Sequence, residues 1–452
     1  MTDLLVRGAR CVATLDGERR ELAGGWVAIA GGLIEAVGIG DPPTALRTID
    51  ATTCLVTPGL INTHHHLYQN LTRAYPPMTD KPLFGWLQSL YPLWAALDTE
   101  SIYVSTWVGL AELALSGCTT STDHLYVHPH GAGDLLAAEI EAARELGVRF
   151  HPTRGSMSLS IKDGGLPPDD VVSDDDSILA ASEEAVSRHH DRSWGAMTRV
   201  ALAPCSPFSV TERLMVRTAE LAARLDVRLH THFAENAEDD EFSLATFGCR
   251  PMEYLERTGW CTERTWVAHC VMPDRAEIRR LGAAGVGVAH CPSSNMILAS
   301  GISPVVELRA AGVAVGLGVD GSSSADAGSL WLEARQAMLL AKLRDGAAAG
   351  TARMALEIAT LGGAACLGRT GELGVIEPGA VADLAIWELT GPRYAGALAD
   401  PVEGWLRCGP ASARDTIVHG RDIVRDGRLV STRVDDMLIA HDRLSRRIQQ
   451  LA

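Results

Sequence analysis

Residues 58–70 read PGLINTHHHLYQN, three histidines in a row behind an apolar stretch. In an extended strand only residues i and i+2 share a face, so His64 and His66 converge while His65 looks elsewhere. Three other short apolar runs end in similar chemistry: RLHTHFAEN with His232 and then Glu235, TWVAHC with His269, and VAVGLGVD with Asp320. Imidazoles plus one carboxylate make a ligand set for a divalent ion, zinc first, with iron or manganese as alternatives; an open position leaves room for water. A lone histidine in a strand is more often a hydrogen-bonded core residue, and His65, His124, His151 and His290 read that way. An isolated Asp at a strand end is commonly a turn former or a helix cap. The coincidence of these groups at one edge favours a metal site.

The elements that would bring them together are also legible. From about residue 58, short apolar runs alternate with longer segments of i, i+3, i+4 apolar spacing, such as LLAAEIEAARELG and RLMVRTAELAARLD. Strands are predicted at 60–66, 119–125, 149–155, 199–205, 228–234, 265–271, 286–292 and 313–320, and this alternation predicts an α/β closed parallel barrel over 58–370. Chemistry in such a barrel sits at the C-terminal strand ends, where the ligands above fall. Residues 1–57 and 371–452 have a strand-and-turn texture, with a helical tail at the end, and read as two halves of one small β domain. The stretch GGLPPDDVVSDDDS at 164–177 reads as a long loop, a barrel insertion or a lid.

Composition narrows the partners. The formal net charge of −16 argues against nucleic acid and anionic membranes. The ten cysteines form no C-x-x-C pair, which suits reduced thiols in the cytoplasm. The N-terminus carries no signal-peptide pattern, and no apolar run reaches the length of a membrane span.

PGLINTHHHL, LHTHFAE, VAHC, HCPSSN and GLGVDGSSS together resemble the amidohydrolase superfamily in its nucleobase-deaminase branch, and GVIEPGAVADLAIWEL resembles that superfamily's composite β domain. The resemblance spans essentially the whole chain. It implies a (β/α)8 barrel with a β-sandwich built from both termini, a homo-oligomer, and one divalent metal held by His64, His66, His232 and Asp320. Binuclear members bridge two ions with a lysine on the fourth strand; the lysines here are Lys81, Lys162 and Lys342, none of them in RVALAPC.

The resemblance further implies hydrolytic deamination of a cyclic amidine. Glu235 shuttles a proton to a ring nitrogen, Asp320 moves one from water to the leaving amine, and His269 donates to the new oxygen; a helix-capping Glu235 and a metal-ligating His269 are the alternatives. Gln69 takes the role of a purine-contacting glutamine, or else stabilises its loop. Where guanine deaminases carry an arginine and adenosine-type deaminases a histidine, this chain has Cys205 in APCSPFS, which removes a cation from the pocket. Arg154 either binds a substrate oxo group or pairs with an acid, and Trp86 either walls the pocket or belongs to the core. TRGSMSLSIKDGGLPPD, LFGWLQSLYPLW and SGCTTSTDHLY are most similar to bacterial 8-oxoguanine deaminases, which form urate and ammonia. Other oxopurines, pterins and s-triazines (the hydroxydechloroatrazine type) remain alternative small-molecule substrates, and a non-enzymatic scaffold is the rival class.

Overall fold

Parallel strands covered by helices on the outside are buried on both faces, and each run in the 58–370 region is apolar or small enough for that environment. In the computed structural model, which describes residues 2–451, they close into a parallel barrel. The barrel strands are β1 (Leu60–Asn62), β2 (Cys118–Leu125), β3 (Arg149–Ser156), β4 (Ala201–Pro204), β5 (Leu229–Phe233), β6 (Thr265–His269), β7 (Gly287–His290) and β8 (Val315–Leu317). Each pairs in parallel with its neighbour in sequence, and β8 returns to β1 through Leu317 and Asn62.

The first strand is shorter than its sequence pattern suggests. It ends at Asn62, and the histidines sit on the extended segment just beyond it. That segment keeps ladder-like bonds to the strand next door: Thr63 N donates to Leu317 O at 2.8 Å and Asp320 N to His64 O at 3.1 Å. Alternation therefore persists past the strand, and His64 and His66 still share a face.

The two chain ends interleave in one β unit. Cys54–Pro58 pairs antiparallel with Leu384–Glu388, from Leu384 opposite Pro58 to Glu388 opposite Cys54, within a sheet that carries strands from both ends. A second sheet holds Thr2–Ala9, Gly25–Ala30, Leu33–Gly38 and Ala45–Asp50. Val6, Val27, Ile29, Val56, Ile386 and Ile417 pack between the two, all of them buried. No helix among the described residues is long and apolar enough to cross a membrane.

The helical tail leaves this β unit. Helix Val434–Gln449 lies on the barrel side, packed against helix Thr99–Leu115 and the short 3-10 turn Leu67–Thr72. His441 Nε2 donates to Asn70 Oδ1 at 2.8 Å; Ser445 Oγ and Gln449 Nε2 donate to Leu71 O at 2.7 and 2.8 Å. Asn70 in turn donates to Ser105 O, which fixes its amide orientation.

The 164–177 stretch is less loop-like than its composition. Asp174 caps helix Asp175–His189 by accepting from Ser177 N at 2.9 Å, and a 3-10 turn occupies Asp169–Val171. None of its residues lines the cleft at the ligand edge, where helix Leu83–Trp94 lies instead.

Candidate active site

At the C-terminal edge of the barrel, Asp320 Oδ1 lies 3.3 Å from His64 Nε2 and 3.4 Å from His66 Nε2, and His66 Nε2 lies 3.2 Å from His232 Nε2. These side chains are buried or nearly so. The protonation of each imidazole follows from its other nitrogen. His66 Nδ1 donates to His124 O at 2.8 Å and His232 Nδ1 to Cys205 O at 2.5 Å. A carbonyl can only accept, so each Nδ1 carries the hydrogen and each Nε2 presents a lone pair.

His64 is fixed by a longer chain. His230 Nδ1 donates to Trp266 O at 2.9 Å, which leaves His230 Nε2 an acceptor for His64 Nδ1 at 2.8 Å. His64 Nε2 then faces the site as a buried lone pair with no hydrogen-bond partner among the described residues. Burial depresses the basicity of all three rings, with His232 pushed down to about 3, so they stay neutral. Three converging lone pairs and a carboxylate repel one another unless a cation lies between them. Two overlapping groups have donor atoms close enough to share a divalent metal, His64, His66, His124 and His232 in one and His64, His269 and Asp320 in the other, and together they contain all four expected ligands.

His230 was not among the residues singled out from sequence, although RLHTHFAEN displays it two positions before His232 on the same strand face. The signal was the H-x-H spacing itself. His230 stacks on Trp266, with ring centroids 4.5 Å apart and planes at 18°, which holds the imidazole in place. His230→Leu should lower zinc affinity by about 10- to 100-fold in a chelator competition. His230→Gln, which can accept through its oxygen and donate through its nitrogen, should recover most of that loss.

Beyond the ligand set, His269 Nε2 lies 3.5 Å from Glu235 Oε2 and 3.9 Å from Asp320 Oδ2. Asn295, in HCPSSN, accepts from His269 Nδ1 at 3.0 Å and orients the ring. Burial alone would make His269 less basic, but the carboxylates of Glu235 and Asp320 outweigh it and raise its pKa. Burial pushes Glu235 up to about 7, which poises it to hold or release a proton at neutral pH. Asp320 is also pushed up by burial, but the close approach of His64, with His269 and His66 around it, holds it well below the usual carboxylate range. His269 joins a second potential ligand group with His64 and Asp320, so its place is on the border between ligand and proton donor.

Strand ends turn sharply to aim these groups. Ala234, His269 and Asp320 adopt left-handed backbone at φ 47°, 70° and 60°. Side chains other than glycine avoid this region, at a cost of about 1–3 kcal/mol each. The strain falls where β5, β6 and β8 deliver Glu235, His269 and Asp320.

A cleft of about 390 Å³ opens onto these groups. Helix Leu83–Trp94 contributes Leu83, Trp86, Leu87 and Tyr91, while Gln69, Tyr126, Cys205 and Phe208 complete the wall. Trp86 Nε1 donates to Ser323 O at 3.3 Å, which fixes the indole in the cleft wall. Burial pushes the Cys205 thiol up to about 12, so it is a neutral packing group. Tyr91, Tyr126 and Phe208 did not stand out in the sequence, where LFGWLQSLYPLW reads as an apolar helix.

Gln69 Oε1 is buried without a partner among the described residues. A Cβ on Gly321 would sit 1.8 Å from that oxygen, so glycine at 321 is what admits the glutamine. Gln69→Ala should raise KM about tenfold while kcat changes little, because the amide holds substrate without taking part in proton transfer. Steady-state ammonia release reads both constants.

Arg154 does not reach this cleft. Thr153 pairs with His124 across β2 and β3, and His124 packs against the ligand histidines, so alternation turns Arg154 outward. It lines a separate cavity with His128, Asp134 and Arg188 and donates to Gly155 O. The expectation that it touches substrate is corrected: its strand face points at the helices.

Residues 55–420 match the model of the amidohydrolase family. The 8-oxoguanine deaminase of Pseudomonas aeruginosa is 47% identical over 98% of this chain and 98% of its own. The hydroxydechloroatrazine ethylaminohydrolase of Pseudomonas sp. strain ADP is 35% identical over 91% of this chain and 86% of its own. An atrazine chlorohydrolase from Arthrobacter aurescens TC1, solved as a zinc complex, superposes with a TM-score of 0.93 at 34% identity, covering 98% of this chain and 100% of that one. The cluster of imidazoles and carboxylates at the barrel edge and these full-length similarities agree: the chain belongs to the amidohydrolase family.

Proposed function

We propose that this chain is a metal-dependent hydrolase that deaminates 8-oxoguanine, consuming water and releasing urate and ammonia. The observation that carries the chemistry is the convergence of three imidazole lone pairs and Asp320 beside Glu235 and His269. His64, His66, His232 and Asp320 are the residues that hold the ion, with zinc the best fit to the donors. The bound ion supplies the positive charge that makes a water acidic enough to ionise near neutral pH.

The remaining steps belong to the side chains. Asp320 accepts the proton of the attacking water and passes it to the departing amino group. Glu235, poised near neutrality, carries a proton to the ring nitrogen beside the reacting carbon. His269 donates from Nε2 to the oxygen as it gains charge. Gln69 offers its free oxygen to a ring N–H or amino group, while Trp86, Phe208 and Cys205 pack the flat faces without adding charge.

The substrate rests on the full-length similarity to an 8-oxoguanine deaminase, supported by an uncharged wall at Cys205 where an arginine would suit other purines. Relatives that act on s-triazines make hydroxyatrazine the second candidate, since its ring is also planar and amino-substituted. Purified zinc enzyme, offered 8-oxoguanine, guanine, isoxanthopterin and hydroxyatrazine separately, should release ammonia most efficiently from 8-oxoguanine. A higher kcat/KM for any of the others would reassign the substrate. Ten unpaired cysteines among the described residues suit a reducing cytoplasm, and a homo-oligomer is the assembly we expect by light scattering.

A further inference from the structure

Four consecutive barrel strands are led by an arginine at or just before their first residue: Arg149 in RFHPTRG, Arg199 in RVALAPC, Arg228 in RLHTHFA and Arg264 in RTWVAHC. Because β3, β4, β5 and β6 are neighbours in a parallel barrel, these side chains gather at its N-terminal rim, opposite the ligand edge. In a chain of net charge −16 this is a local concentration of cationic side chains.

Three of the four are neutralised. Arg149 donates to both oxygens of Asp383, at 3.0 and 3.1 Å, and to the carbonyls of Gly195 and Ala196. Arg199 pairs with Glu372 at 3.1 Å and Arg264 with Asp226 at 2.6 Å. Arg228 has neither an ion pair nor a side-chain hydrogen bond among the described residues, and its Nε is buried without a partner. Burial pushes its pKa down, with Arg264 adding to the shift and Cys366 and Glu263, neither of them bonded to it, opposing it.

Arg228 lines a cavity of about 650 Å³ that it shares with Arg192, Arg199, Arg264, His151 and His190. The carboxylate in that lining is Asp226, already bound to Arg264. His151 is 2% exposed and its Nδ1 also lacks a partner among the described residues. Water can satisfy an orphan donor but does not neutralise an unpaired, partly buried guanidinium. A planar guanidinium fork with donors arriving from several strands matches an oxyanion with oxygens in several directions.

We propose that this rim cavity binds a phosphate-type oxyanion, either free or as the phosphomonoester of a small metabolite, with Arg228 as its principal ligand. The site is separate from the catalytic edge, so its occupancy is read without reference to deamination.

The test is calorimetric titration of the zinc-loaded enzyme with inorganic phosphate and with a nucleoside 5′-monophosphate, at ionic strength matched with sodium chloride. Saturable binding is expected, weakened about tenfold or more in Arg228→Met and less strongly in Arg192→Gln, which changes an exposed side chain whose one hydrogen bond runs to Leu225 O. Tighter binding of the monophosphate assigns the site to a phosphomonoester, and equal affinity assigns it to the free anion. Deaminase kcat should be unchanged in both variants. The proposal is overturned if phosphate produces no more heat than chloride, or if both variants bind it as the parent does. Should Arg228→Met not fold, unchanged binding by Arg192→Gln alone overturns it.

Discussion

Asp320→Asn should lower kcat by about 10⁴-fold, the upper range for loss of a group that moves protons. Asn has the shape to keep the bond that Asp320 Oδ1 accepts from Gly321 N at 2.7 Å, so the strand end need not move. What it lacks is charge and basicity. The amide oxygen is a weaker partner for a cation among three neutral imidazoles, and it cannot take the proton of an attacking water. Ammonia release measures the rate, and elemental analysis of the same sample measures the metal. A variant that retains near-parental turnover would remove Asp320 from the proton relay.

Glu235→Gln should cost about 10²- to 10⁴-fold in kcat with stoichiometric metal retained. Glu235 stands outside both potential ligand groups, whereas its carboxylate faces His269 Nε2 at 3.5 Å. Its backbone N donates to Asp239 Oδ2 at 2.8 Å and Ser300 Oγ donates to Oε1 at 3.4 Å, so a glutamine side chain of the same length is held by the same neighbours. The amide cannot exchange a proton at the ring nitrogen. Loss of metal in this variant would place Glu235 among the ligands and leave the ring proton without a carrier.

Much of the catalytic edge was readable because it depends on one-dimensional spacing. H-x-H and H-x-x-E place groups by the two-residue period of extended chain, and His64, His66, His232 and Glu235 meet at the predicted edge. The same period misled at Arg154, where the type of side chain outweighed its phase: counting from His124 through the β2–β3 register turns it outward. His230 was legible in principle and passed over, because a second histidine on one strand face reads as redundancy until Trp266 O is known to fix its tautomer. Asn295 and Tyr91 were not legible. Their contributions come from helix docking: Asn295 reaches His269 from helix Pro292–Ile297, and Tyr91 lines the cleft from Leu83–Trp94. The first strand is also shorter than predicted, since past Asn62 the extended segment is held to β8 and the residues after it by isolated backbone bonds and not by a regular ladder.

The last helix of the chain holds Leu71 O and Asn70 by three side chains, two and one residues from Gln69. The turn that presents Gln69 therefore acquires its support only once residues 441–449 have been made, and the pairing of Cys54–Pro58 waits equally for Leu384–Glu388 to emerge. The candidate metal ligands, from His64 to Asp320, are thus all synthesised before the helix that braces the turn bearing Gln69.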